Sequence, residues 1–127
     1  MSYDTSIMID TGGEYPAEVE ECGNMTSNIG GMYYKAMPGP YAGGGRYNGT
    51  GDPEPDRGGL PGLSGLSCSD ACGILKRGLT YMEEHEPEMR AMEPDNGWGS
   101  FEGALKYLRG IYDACRKHPR GFIAVNW

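Results

Sequence analysis

The sequence predicts an α+β fold. A small antiparallel or mixed sheet, built from an N-terminal strand or hairpin plus a C-terminal strand, packs against three amphipathic helices, with a long Gly/Pro-rich loop between. Three observations predict it. Apolar residues recur at helical spacing in three separate segments. Both ends of the chain carry short β-type runs bounded by turn residues. The 26 residues from Pro38 to Leu63 contain nine Gly and five Pro. At 127 residues the chain is one domain's worth of protein, 1–127, with 38–63 as a surface loop within it. That length is enough to bury about two-thirds of the unfolded surface around one core.

The elements follow in order. Residues 3–10 form a first strand with Ile7 and Ile9 on one face and Ser6, Met8 and Asp10 on the other; Thr11-Gly12-Gly13 ends it. Ala17-Glu18-Val19-Glu20-Glu21-Cys22 alternates weakly and suits an edge strand, its glutamates opposing pairing with other molecules. Asn24 to Asn28 is a cluster of capping residues. Thr26, Ser27 or Asn28 caps a helix whose stripe is Ile29, Met32, Tyr33, Ala36 and Met37, and Pro38 ends it. The 38–63 stretch has almost no aliphatic side chain before Leu60, so no regular element is expected there. Its Gly43–Gly51 run looks like a phosphate cradle but lacks the Gly-Lys-Ser/Thr ending and the strand-to-helix context.

Ser67 or Ser69 caps the second helix, which runs to about Glu84 with Asp70 in its first turn, where the helix dipole favours a negative charge. A short turn covers Glu88 to Met92. Pro94-Asp95-Asn96-Gly97-Trp98-Gly99 is a dense turn. Ser100 caps the third helix, whose stripe is Phe101, Ala104, Leu105, Leu108, Ile111 or Tyr112, and Cys115. His118-Pro119 stops it, and Phe122 to Trp127 is a closing strand.

Charge bounds the function classes. Eleven Lys+Arg against eighteen Asp+Glu give −7, which counts against direct nucleic-acid binding. Residues 1–104 hold 6 cations and 17 carboxylates, whereas 105–127 hold 5 and 1. The last helix and its exit are therefore the only basic surface. It is either a solvated face with cations at a helix C-terminus or a docking patch for an anion or acidic partner. The longest apolar run is Ile7-Met8-Ile9, and the first residues carry no secretory pattern, so a cytoplasmic protein without a membrane partner is expected.

Cys22, Cys68, Cys72 and Cys115 are too scattered for a disulfide scaffold. Cys68 and Cys72 stand four apart and, with His85 and His118, leave a zinc site thinkable. Alternatively Cys68, Cys72, Leu75, Leu79 and Met82 are one apolar helical stripe. Enzyme motifs are thin. Gly62-Leu63-Ser64-Gly65 falls short of a nucleophile elbow, the two histidines form no metalloprotease or triad pattern, and Glu83, Glu84, Glu86 and Glu88 read as solvated surface. A non-catalytic protein with no cofactor is expected.

Recognition is better supported. Nine Tyr stand against two Phe, and Tyr33, Tyr34, Tyr41 and Tyr47 cluster in or beside the loop. Trp98 either pins its turn to the core or offers a stacking platform. The candidate ligand-binding residues are Asn24, Thr26, Asn28, Tyr33, Asn96, Trp98 and Arg109. The asparagines would give polar readout, the indole would stack, and Arg109 or Lys117 would offset phosphate charge.

Ile9-Asp10-Thr11-Gly12-Gly13, Asn24-x-Thr26-x-Asn28-Ile29, Asn96-Gly97-Trp98-Gly99 before an amphipathic helix, and His118-Pro119 before a last strand occur here in that order. In this combination the chain resembles a group of small proteins of actinobacterial phages and their hosts. The Pro38–Leu63 stretch is longer here than in that pattern. The resemblance implies a phage or prophage setting in the bacterial cytosol, and it implies no reaction. The expected function is a phage accessory protein that binds a host protein or defence component. The alternatives are a sponge for a nucleotide-like small molecule and an acidic DNA-mimic inhibitor, with self-association left open.

Overall fold

In a computed structural model of the chain, residues 2–45 and 57–127 are described. The first strand, β1 (Ser2–Ile9), lies between β2 (Ala17–Thr26) and β3 (Phe122–Asn126), and both pairings are antiparallel. The two ends of the chain thus meet in one sheet, with Ile7 opposite Ile123 and Asp4 opposite both Asn24 and Asn126. Alternation along β1 turns Tyr3, Thr5 and Ile7 into the core and leaves Ser2, Asp4, Ser6 and Met8 on the outer face.

A 3-10 turn (Ser27–Ile29) leads into α1 (Gly30–Ala36), followed by α2 (Gly59–Leu63), α3 (Cys68–Glu84), α4 (Glu86–Ala91) and α5 (Phe101–Lys117). The two long helices begin where hydroxyl caps are available. Ser67 Oγ accepts from Asp70 N at 3.1 Å, and Ser100 Oγ accepts from Gly103 N at 3.0 Å, each satisfying a first-turn donor. Cys68, Ala71, Leu75, Leu79 and Met82 of α3 face Phe101, Ala104, Leu108, Ile111 and Cys115 of α5 across one core that also takes Ile7, Ile123 and Val125.

Among the described residues the three expected helices, α1, α3 and α5, are joined by two short ones, α2 and α4, and it is the middle of the chain that departs from expectation. The turn expected over 88–92 is the helix α4, started by Pro87. The larger correction concerns 38–63, expected as an irregular surface loop. Within it, Gly59–Leu63 is helical, and Leu60 and Leu63 are fully buried. Glycine here permits close packing of backbone on backbone. A Cβ on Gly62 would lie 1.9 Å from the Arg57 carbonyl oxygen, and one on Gly44 would lie 1.9 Å from that of Gly62. Residues 46–56, with Tyr47 and most of the Gly43–Gly51 run, lie outside the described residues.

After α2 the chain runs along the outer edge of β3. Gly65 N donates to Ile123 O at 2.7 Å, Ile123 N to Leu66 O at 2.9 Å, and Cys68 N to Gly121 O at 2.8 Å. The buried Ser64 hydroxyl accepts from Val125 N at 2.9 Å. This segment satisfies edge groups that would otherwise invite another strand. No helix among the described residues is long and apolar enough to cross a membrane.

Candidate functional site

β2 continues four residues past the expected strand. Gly23, at φ +94°, carries the chain through a register shift and keeps Asn24 in the ladder opposite Asp4. Asn24 is therefore a strand residue on the outer face and not a member of a helix cap. Its Nδ2 donates to Ser2 Oγ at 2.9 Å and to Asp4 Oδ1 at 2.7 Å, which holds the side chain against the sheet. Two residues on, Thr26 Oγ1 accepts from Asn28 N at 3.3 Å, turning the chain into the 3-10 segment. Ser2, Asn24, Thr26 and Asn28 make one wall.

The other wall is the turn before α5. Asn96 Oδ1 accepts from Trp98 N at 2.9 Å, and Glu93 Oε2 accepts from Phe101 N at 2.8 Å, fixing the turn at both ends. Gly99 seats it on the first wall. At φ +115°, a Cβ there would lie 2.5 Å from Ile29 Cγ2 and 3.1 Å from Thr26 Cγ2, so only glycine allows this approach. Between the walls lies an open cleft of about 450 Å³, lined by Ser2, Asn24, Thr26, Asn28, Asn96 and Trp98. That volume is in the range of small-molecule sites.

Trp98 is 67% exposed. Its turn is pinned to the core by Gly99 and not by its own indole, which is left as an open face. Five of the seven sequence-predicted residues, Asn24, Thr26, Asn28, Asn96 and Trp98, line this one cleft.

The other two do not. Tyr33 lies on the buried stripe of α1, its hydroxyl donating to Ala104 O at 2.8 Å, and burial pushes its phenol well above the ordinary value. Its helical spacing with Ile29 and Met37 decided its place. Arg109 pairs instead with Glu83 across α3 and α5 (2.7 Å). Its sign gave no information about which carboxylate would face it. Ser2 escaped the sequence reading, although strand alternation places it on the same face as Asp4.

The cysteines and the basic end of the chain lie apart from this cleft. Cys115 is buried together with Cys68, and that neighbouring thiol, then burial, push its thiol up. Burial and the nearby Glu20 carboxylate push Cys22 up to about 12. All four cysteines are free thiols. Among the described residues no group of three or more His, Cys, Asp or Glu is arranged to hold a metal. At the basic end, Glu20 of β2 engages His118 (3.0 Å) and Lys117 (3.3 Å), and these contacts, His118 first, hold its carboxyl below the ordinary range.

Among the described residues none of the six lining side chains is ionisable, so they offer hydrogen bonds and a stacking face. Comparison with protein-family models, with curated proteins and with solved structures finds no match to this chain.

Proposed function

We propose that the chain is a non-catalytic binding protein that holds a small ring-bearing polar molecule in the cleft between the Asn24–Asn28 wall and the Trp98 turn. The convergence of three asparagines and an exposed indole on one concave surface carries this reading. A ring stacked on one aromatic face gains about 1–3 kcal/mol, and amides supply both donors and acceptors for its polar edge. In the cytosol of a phage-infected bacterium, such a protein would act by sequestering its ligand. Arg109 lies outside the cleft, so the phosphate half of a nucleotide-like ligand loses its expected partner. For the DNA-mimic alternative, Glu20, Glu83, Glu86, Glu88 and Glu102 are each paired with a cation, which takes these five carboxylates out of the free acidic surface it would use.

The test is a thermal-shift and calorimetric screen of nucleosides, nucleotides and sugars. A ligand at one hundred times its Kd stabilises the fold by about 2.7 kcal/mol. Trp98→Ala should abolish that stabilisation while leaving the free protein's Tm nearly unchanged, because the indole is mostly exposed. A screen without any shift, or one in which Trp98→Ala binds equally well, refutes the reading. A second reading, docking of a host protein, is favoured by the same exposed indole, since tryptophan anchors protein interfaces.

A further inference from the structure

The charge around the cleft selects among ligands; the inference below rests on the cleft being a ligand site. Among the described residues its six lining side chains are uncharged, and carboxylates stand beside them. Asp4 Oδ1 sits 2.7 Å from Asn24 Nδ2, Glu93 braces the foot of the Trp98 turn, and Asp95 precedes Asn96 in that turn. Three cations on the neighbouring helices are engaged elsewhere, Arg90 by Glu86 (3.1 Å) and Glu102 (2.5 Å), Arg109 by Glu83, and Lys35 by Glu88 (3.2 Å), and Lys106 of α5 lines a separate groove with Cys22, Met25 and Tyr107.

The amides are also presented in a defined way. Asn24 uses its Nδ2 on Ser2 and Asp4, leaving its carbonyl oxygen as the group offered to a ligand. Asn96 does the reverse, its Oδ1 held by Trp98 N and its amide nitrogen left to donate. One wall therefore offers an acceptor and the other a donor, with an apolar ring face beside them. A hydroxyl group, which both donates and accepts, matches that pairing. A phosphate only accepts, and it would enter against the Asp4 carboxylate.

We infer that the cleft takes an uncharged hydroxylated ring, a sugar ring laid with its apolar face on the Trp98 indole, and discriminates against the phosphorylated form of the same molecule. The sugar ring can belong to a free saccharide or to the ribose of a nucleoside.

The experiment is a ¹⁵N NMR titration of the full chain with two matched pairs, glucose with glucose 6-phosphate and adenosine with adenosine 5′-monophosphate. The Trp98 indole N–H is read directly, because the chain has only two tryptophans and Trp98→Phe assigns the pair. The neutral member of at least one pair should shift the Trp98 indole and Asn96 side-chain amide signals. Its phosphorylated partner should bind roughly fivefold or more weakly at low ionic strength, the gap narrowing with added salt. Asp4→Asn, which can keep the bond to Asn24, should narrow the gap as well. A response to glucose identifies a free saccharide as sufficient; a response to adenosine alone identifies a nucleoside. Equal or tighter binding of the phosphorylated members at Trp98 overturns the ligand class and leaves the cleft as a site. Silence of Trp98 to all four compounds overturns the site itself.

Discussion

Replacing Gly99 by alanine tests how the two walls of the cleft are joined. The new Cβ would sit 2.5 Å from Ile29 Cγ2 and 3.1 Å from Thr26 Cγ2, at a φ of +115° that L side chains rarely adopt. Ile29 is 1% exposed and has no room to retreat, so the turn must move. Backbone strain of about 1–3 kcal/mol adds to overpacking of about 1–3 kcal/mol. The sum, about 2–6 kcal/mol, corresponds to a fall in Tm of roughly 8–24 °C for a domain of this size. Gly97→Ala is the control: its φ is +77°, and nothing lies within 4 Å of its Cβ position. It should cost only about 1–2 kcal/mol, the penalty for a left-handed alanine. Reduction of unfolded-chain entropy is common to both variants and cancels in the comparison. Urea unfolding followed by circular dichroism measures the difference, expected at about 1–3 kcal/mol. If the two variants match, the Trp98 turn is not seated on Ile29, and the cleft is not built as described.

Three further outcomes are expected. Tyr107→Phe should lower stability by about 1–3 kcal/mol in urea unfolding, because the Tyr107 hydroxyl donates to Gly23 O (2.8 Å) and lies 2.9 Å from the buried Thr5 hydroxyl. Ser64→Ala should cost a similar amount, about 1–3 kcal/mol, by leaving the buried Val125 N–H without its acceptor; protection of that amide from hydrogen exchange should fall as well. Glu20, held below the ordinary carboxylate range by His118 and Lys117, contributes stability that is present above its unfolded pKa and lost as pH falls through the lowered folded value. The Tm difference between the wild type and Glu20→Gln should therefore be present at pH 6 and close as pH drops below about 4, with a small amplitude because the group is solvated.

Local chemistry was readable in the sequence. Ser67 and Ser100 cap the long helices because a hydroxyl stands directly before each apolar stripe, and the stripes of α3 and α5 identify the faces that are buried. Contacts set by distant backbone were not readable. Leu60, Leu63 and Leu66 recur every three residues, but glycine and proline around them masked the helical turn. Close packing of Gly44, Gly62 and Arg57 is visible only once the chain is folded. Asn24 looked like part of a cap because nothing local reveals that Gly23 carries the strand onward. Tyr33 satisfied two patterns at once, an apolar stripe and a tyrosine cluster. The stripe prevailed, because an α1 position facing α5 must be filled by something large, and the hydroxyl found Ala104 O.

The cleft's two walls come from segments far apart in sequence, and the core, more than the walls, fixes their spacing. Tyr107 on α5 ties its hydroxyl to Gly23, immediately before Asn24, and Tyr33 ties α1, which follows Asn28, to Ala104 near the start of α5. The Asn24–Asn28 wall is thus bonded at both of its ends through buried tyrosines to the helix that begins just after Trp98. The asparagines and the indole are positioned before any ligand arrives, which reduces the ordering cost of binding. Stability and recognition should separate accordingly. Changes at Tyr33 or Tyr107 would loosen the walls and weaken both properties, whereas changes at Trp98, Asn28 or Asn96, all exposed, would weaken recognition with little effect on folding. A variant of Trp98 that unfolds the protein would mean that the indole is part of the core after all, and the cleft would then have no stacking face to offer.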